Sequence, residues 1–196
     1  MSQIDADFLL KDLESSEVEK QVLAVEQAGE IVNYIAIKTV EAFRKSQHRF
    51  LIAERLYRLG SVVVPPLEKV LQESDNSETS ILAAVILLRF GSKVGVSCLL
   101  DAVAKDEEYS SLAASSLAAA EVKEAIAPMI NRLKSCDLKN VDLAIGLLGA
   151  LEDLQSEIPS DLRDRLIAED TPWQIRTYAK RFGSNQENFE KAIALF

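Results

Sequence analysis

Apolar side chains recur at three- and four-residue intervals through most of the chain, with short polar breaks between the apolar segments. This is the spacing of an α-helix that buries one face. The pattern predicts helices over residues 4–13, 16–28, 30–45, 47–59, 64–73, 78–90, 94–104, 109–120, 123–134, 138–151, 160–168, 171–182 and 185–195. After the first short helix, the others are expected to form antiparallel pairs.

The breaks inside these pairs are evenly spaced. They fall at Gly29, Gly60, Gly91, Glu121, Glu152 and Gly183, at steps of 31, 31, 30, 31 and 31 residues. At the clearest break, Gly60 ends one helix and Pro65 and Pro66 start the next, because Gly accepts a left-handed cap and Pro fits a first helical turn. A period of this length is typical of a repeat array whose neighbours share one core. The chain is therefore predicted to be one domain, residues 1–196, with a capping helix at 4–14 and repeats over 16–195.

Polar residues mark several helix starts. Ser16 with Glu19 three residues later predicts a capping box. Asp137 is expected to cap the helix over 138–151, and Thr171 to cap a helix with Pro172 at its first position.

Two helices have further predicted features. Pro128 should shift the start of the helix over 123–134 or bend it, because its ring clashes with the preceding turn. Residues 81–88 are all apolar, so their helix is expected to be covered on several sides and to lie in the middle of the array.

Composition agrees with a folded helical protein and narrows the partner class. The chain is 48% hydrophobic, 27% charged and 6% aromatic, and its formal net charge is −9. Nucleic-acid binding needs clustered Lys and Arg, so the acidic balance argues against a nucleic-acid partner. The longest apolar run is far too short for a membrane span, and the first residues lack the features of a secretory signal. A cytoplasmic protein is expected.

The period and certain residues resemble a known family. The matching residues are Leu59, Gly60, Val64, Pro65, Pro66, Leu67 and Leu71, then Ile175, Arg176, Ala179, Phe182 and Gly183. Over roughly residues 20–195 the chain resembles HEAT-like repeats, and is more closely similar to the short subtype of phycobilin lyase subunits and many bacterial adaptor proteins. The resemblance implies an all-α fold, a right-handed α-solenoid of about six antiparallel helix pairs.

No catalytic, cofactor or metal site is predicted. His48 is the only histidine and has no fixed partner in the sequence, and one His with two separated Cys is too few for zinc. Cys98 and Cys136 fall in apolar helical runs and are expected to be buried thiols. The paired carboxylates lie at helix starts or junctions, where acidic side chains stabilise the helix dipole.

The remaining candidate site is a surface. The second helices of stacked pairs line the concave face, which is the usual docking face of such arrays. The outward polar positions predicted there are Glu68, Lys69, Gln72, Asp101, Lys105, Asn131, Lys134, Asp164 and Arg165. Their mixed charge suits a protein or peptide better than a polyanion. The alternative docking surface is the C-terminal end, where Trp173, Tyr178 and Phe196 could form an apolar edge for another subunit.

The sequence thus favours a non-enzymatic scaffold, adaptor or chaperone that holds another protein, with a hetero-oligomer of repeat subunits also possible. The alternative, implied by the resemblance alone, is a phycobilin lyase subunit or a related chromophore-handling chaperone. A third class, HEAT-like DNA glycosylases, is disfavoured by the net charge of −9.

Overall fold

The computed structural model describes residues 6–74, 77–106 and 108–182. These residues are all-helical and contain no strand, as predicted. Internal packing divides the chain into two compact units, Met1–Glu73 and Ser74–Phe196. That the two units behave as one domain stays a prediction.

One long helix organises the first unit. The elements are α1 (Ala6–Leu13), α2 (Val18–Lys45), α3 (Arg49–Leu56), a 3₁₀ segment (Tyr57–Val63) and α4 (Val64–Glu73). All of the others pack against α2. The buried apolar side chains of the C-terminal half of α2 and of the elements after it are Ala36, Val40, Phe43, Ala53, Leu56, Val63, Leu67 and Val70. The core of this unit therefore lies around the C-terminal half of α2.

The predicted break at Gly29 is wrong, because α2 runs through it as one helix of 28 residues. Gly inside a helix costs about 1 kcal/mol relative to Ala, a small term that packing along a long helix can outweigh. The predicted first pair, 16–28 with 30–45, therefore does not form. The capping box at Ser16 is also wrong: Glu17 occupies the N-cap, and its backbone N–H donates to Ser15 Oγ at 3.1 Å.

The predicted turn at Gly60 is confirmed. Gly60 has φ 76°, in the left-handed region that favours Gly, inside the 3₁₀ segment. Pro65 and Pro66 lie in the first turn of α4, where their missing N–H groups leave no internal helix bond unmade.

The second unit has its helices in two layers. The elements are α5 (Ser77–Arg89), α6 (Val96–Lys105), α7 (Ser110–Ala119), a 3₁₀ turn (Lys123–Ala125), α8 (Ile126–Ser135), α9 (Val141–Asp153), α10 (Ser160–Ile167) and α11 (Trp173–Arg181). In one layer α5 packs on α7, α7 on α9, and α9 on α11. In the other, α6 packs on α8. Successive helices join the layers, as α6 does with α7 and α8 with α9.

Three helices of this unit end in the same turn. Gly91, Glu121 and Gln155 have φ of 79°, 55° and 54°, and they follow α5, α7 and α9. Each donates its N–H to the carbonyl three residues back, and the next residue donates to the carbonyl five residues back. This is the Schellman pattern, which satisfies helix-end carbonyls that otherwise lack partners.

The positions of these turns confirm two predicted junctions and correct one. Gly91 and Glu121 lie where the period places them. Glu152 does not, because α9 continues through Asp153 and its turn is at Gln155. The steps between the three turns are therefore 30 and 34 residues.

Other local predictions divide in the same way. Residues 81–88 are all buried, as expected. The helix α8 begins at Ile126 after a 3₁₀ turn, so Pro128 lies in its first turn, also as expected.

Two predicted helix caps are wrong. Asp137 does not cap α9; Asn140 does, accepting the Leu143 N–H at 3.2 Å. Thr171 does not cap α11 either, since its hydroxyl donates to the Arg165 carbonyl and Pro172 holds the N-cap. Gly183 and the helix over 185–195 lie outside the described residues.

Candidate protein-binding surfaces

The predicted polar positions all lie on even-numbered helices. In the first unit, Glu68, Lys69 and Gln72 are on α4. Lys69 and Gln72 are exposed, and Glu68 is half-buried. Lys69 Nζ lies 3.8 Å from Glu73 Oε1, at the rim of an apolar groove of about 410 Å³ between α2 and α4.

The other six positions lie in the second unit, two each on α6, α8 and α10. Asp101, Lys105, Asn131, Lys134 and Asp164 are exposed, as predicted. Asp101 and Lys105 form an ion pair at 2.9 Å, one turn apart on α6. Lys134 Nζ pairs with Asp161 Oδ2 at 2.7 Å, which lowers the pKa of the Asp161 carboxyl. We call these six residues of α6, α8 and α10 the polar row. Much of the charge in the polar row is therefore compensated by ion pairs within the chain.

Arg165 has a structural role that the sequence did not reveal. From α10 its guanidinium donates to the carbonyl oxygens of Leu133 at 2.7 Å, Lys134 at 2.8 Å and Cys136 at 2.9 Å. These carbonyls are at the C-terminal end of α8, where helix carbonyls lack partners and a cation is favoured by the helix dipole. Arg165 thus joins α8 to α10 and is less available to a partner than predicted.

Among the residues that the structure describes, no group of three or more His, Cys, Asp or Glu side chains could hold a metal ion. Cys98 and Cys136 are free thiols; Cys136 is buried as predicted, whereas Cys98 is only half-buried, and burial raises the pKa of both. A raised pKa leaves little thiolate at neutral pH, which makes both groups poor nucleophiles.

A second surface, on α2, was missed by the sequence reasoning. Val18, Val22, Val25, Gly29 and Val32 follow one another at steps of four, three, four and three residues, so they share one face of the helix. We call these five residues the valine stripe. Their valine side chains are 70%, 53%, 60% and 49% exposed, in chain order.

The same face becomes buried further along the helix. Ala36, Val40 and Phe43 continue the stripe at steps of four, four and three residues and are at most 2% exposed. In the N-terminal half of α2 only Ala24 is buried, on a different face, in the half where α1 packs. The valine stripe thus lies on the same helix face that forms the core of the first unit further along α2, but it is exposed to solvent.

Carboxylates follow one side of this stripe. Glu19, Glu26 and Glu30 lie about a quarter turn from the stripe on the same side, and all three are exposed. In the described part of the chain none of these carboxylates has a side-chain hydrogen bond or ion pair. We call these three residues the acidic edge.

Exposed apolar side chains are concentrated in the first unit. Of the large hydrophobic side chains that the described residues expose, only Val94 and Trp173 lie in the second unit. Those of the first unit are Phe8, Leu10, Val18, Val22, Leu23, Val25, Val32, Tyr34, Ile35, Ile37, Phe50, Leu51, Tyr57 and Leu59. Among them, the valines of the valine stripe share one helix face, and contiguous apolar exposure is typical of a surface that another molecule covers.

The predicted C-terminal edge is present in part. Trp173 is 66% exposed, as that prediction requires. Tyr178 is half-buried, and its hydroxyl donates to Glu152 Oε2 at 2.6 Å; burial, together with this hydrogen bond, raises the pKa of Tyr178 to about 12. Phe196 lies outside the described residues.

No protein-family model, curated protein or solved structure matches this chain. Among the described residues, no helix combines the length and the apolar character needed to cross a bilayer.

Proposed function

We propose that this protein is a non-enzymatic scaffold that binds another protein, with the valine stripe as its main docking face. One observation carries the proposal: a helix face that forms the core of the first unit at Ala36, Val40 and Phe43 continues into solvent over Val18 to Val32. Leaving four valines exposed on one face is unfavourable by roughly 25 cal/mol per Å² of apolar surface, and a partner that covers them recovers this free energy.

A finer proposal concerns the second unit, which we interpret as a short HEAT-like array forming part of a right-handed α-solenoid. Its support is the layer α5, α7, α9 and α11, together with matching turns at Gly91, Glu121 and Gln155. In such an array the polar row on α6, α8 and α10 would offer a second contact surface. The ion pairs within that row make it the weaker candidate.

The test is affinity capture from extracts of the native host, with partners identified by mass spectrometry. Three variants are compared with the unmodified protein. Val22→Glu with Val25→Glu charges the valine stripe, Asp101→Lys with Lys134→Glu reverses the polar row, and Val94→Glu is the control for an exposed apolar residue elsewhere. We expect the first variant alone to lose the captured protein. Loss only with the second variant would move the docking face to the polar row, and unchanged capture with all three would contradict the proposal.

The bilin lyase alternative stays a prediction from resemblance. It is tested by adding a bilin to the purified protein, with and without a second HEAT-like subunit, and recording the visible absorption spectrum. A bound, coloured complex would favour the alternative over the scaffold. Retention on a heparin column at physiological salt would favour a nucleic-acid partner instead.

A further inference from the structure

The two sides of the valine stripe differ in charge. On one side lies the acidic edge, Glu19, Glu26 and Glu30. On the other, Gln21 donates its amide to the Leu13 carbonyl at 3.2 Å, so that side is attached to the end of α1. We propose that the valine stripe binds an amphipathic helix of another protein whose apolar face is flanked, on one side, by Lys or Arg. This inference rests on the proposed function and adds the chemical class of the partner.

The stripe fits a helix in shape. Val18 and Val32 are 14 residues apart, which is about 21 Å at 1.5 Å per residue. Spacings of four and three along this distance form the seam that a second helix fills, with its apolar side chains between those of the first. A partner helix of about four to five turns would cover the whole stripe.

The charge pattern selects the kind of helix. Two other exposed carboxylates of this helix region have partners inside the chain: Glu17 pairs with Lys20 at 2.7 Å and Glu41 with Lys38 at 2.9 Å. The acidic edge has none among the described residues, although its carboxylates flank an apolar seam where neighbouring charges decide helix pairing. A basic flank on the incoming helix would pair with these carboxylates along the seam.

A second copy of this chain fits less well. Antiparallel pairing of two stripes would set one acidic edge against the other, and like charges facing each other are destabilising. Parallel pairing would set the acidic edge against the opposite side, where Gln21 and Ala28 carry no charge. The net charge of −9 adds repulsion between copies. A partner with basic residues is therefore favoured over self-association.

Gly29 supports a close approach at the middle of the stripe. A Cβ at this position would have no atom within 4 Å, so packing inside the first unit does not require Gly here. Gly is also the least favourable helix residue after Pro. Its absence of a side chain leaves a notch between Val25 and Val32 that a side chain of the incoming helix can fill.

The experiment uses the full-length protein and two synthetic 18-residue helical peptides with identical leucine faces. One peptide carries Lys along one flank of that face, and the other carries Glu at the same positions. Fluorescence anisotropy measures the Kd of each at 150 mM and 500 mM salt. We expect the Lys peptide to bind at least tenfold more tightly than the Glu peptide, and this preference to shrink at high salt. Equal binding of both peptides, or binding of neither, would overturn the inference.

A charge swap gives the matched control. Glu19→Lys, Glu26→Lys and Glu30→Lys together should reverse the preference, so that the Glu peptide binds more tightly. Glu124→Lys, Glu157→Lys and Glu169→Lys change the net charge by the same amount at exposed positions of the second unit. This control should keep the original preference, and a reversal in it would show that net charge alone decides binding. Circular dichroism of both variants verifies that the fold is retained.

Sedimentation velocity of the purified protein tests whether a second copy of this chain covers the valine stripe. A dimer of the unmodified protein that Val22→Glu dissociates would overturn the basic-helix partner in favour of a second copy. If neither peptide binds while capture of a host protein still depends on Val22 and Val25, the partner class is wrong and the scaffold stands. If capture is also independent of the stripe, both proposals fail.

Discussion

Val32 and Ala36 lie one turn apart on the same face of α2, yet Val32 is 49% exposed and Ala36 is 1% exposed. The boundary between covered and uncovered surface thus crosses the middle of a continuous helix. On the C-terminal side the face is buried in the first unit, where α3, the 3₁₀ segment and α4 pack against α2. On the N-terminal side the same apolar pattern continues over the valine stripe without cover.

Replacing Gly29 tests the continuity of α2. Gly29→Ala should raise the free energy of unfolding by about 1 kcal/mol, because Ala is the better helix former and its Cβ meets open space. Gly60→Ala is the matched control: Gly60 has φ 76°, so Ala there should be destabilising by about 1 kcal/mol. Urea unfolding followed by circular dichroism measures both. A destabilised Gly29→Ala variant would indicate a break in the helix at this residue.

Removing the Arg165 guanidinium should weaken the second unit. Arg165→Ala leaves the carbonyls of Leu133, Lys134 and Cys136 without their donor, at an expected cost of about 1–3 kcal/mol. Arg163→Ala, an exposed neighbour on α10, should change stability by less than about 0.5 kcal/mol. Thermal unfolding of both variants decides the point, and equal melting temperatures would show that the three hydrogen bonds do not stabilise the fold.

Two tyrosines should make stability fall at alkaline pH. Burial, with hydrogen bonds from Tyr109 to Glu78 and from Tyr178 to Glu152, raises the pKa of both phenols to about 12. A folded pKa above the unfolded value of about 10 means that the contribution is complete below pH 10 and is lost as pH rises towards 12. Tyr109→Phe and Tyr178→Phe should each lessen this alkaline loss. Urea unfolding between pH 9 and pH 12 measures it, and parallel curves for all three proteins would refute the raised pKa values.

A charge in the most apolar helix should unfold the second unit. Leu87 is 0% exposed on α5, so Leu87→Asp buries an unpaired carboxylate, with an expected loss above about 4 kcal/mol. Leu59→Asp is the control at a residue that is 38% exposed. Hydrogen exchange followed by mass spectrometry should show lost protection in residues 77–182 of the first variant. Loss of protection in residues 6–73 at the same time would support the predicted single domain, and a native pattern in both units would contradict the burial of Leu87.

The sequence predicted the helices well because most follow their apolar spacing and end in local signals. Gly60 and Gly91 are examples, and even Glu121 takes a positive φ at the predicted position. The errors at Gly29 and at Asp137 have different physical causes. At Gly29 the weak helix tendency of Gly predicts a break, but α2 continues through this residue. At Asp137 the sequence predicts a cap, but Asn140 lies nearer the start of α9 and caps it.

The candidate site was predicted less well, for reasons that particular residues make clear. The nine polar positions lie on the expected helices, but Arg165 and Lys134 have partners inside the chain that only the structure reveals. The valine stripe left a readable signal in the spacing of Val18, Val22, Val25 and Val32. The assumed break at Gly29 divided that signal, and a sequence pattern does not tell an apolar face that is covered from one that is not.

The most direct test of the central claim is site-specific photo-crosslinking in the native host. A photoreactive phenylalanine analogue is placed at Val25 in the valine stripe, with the same analogue at Val94 as the control for an exposed apolar residue elsewhere. The account predicts a discrete crosslinked protein at Val25 that excess Lys peptide suppresses, and none at Val94. No crosslink at Val25, or the same products at both positions, would contradict the claim that the valine stripe is the docking face.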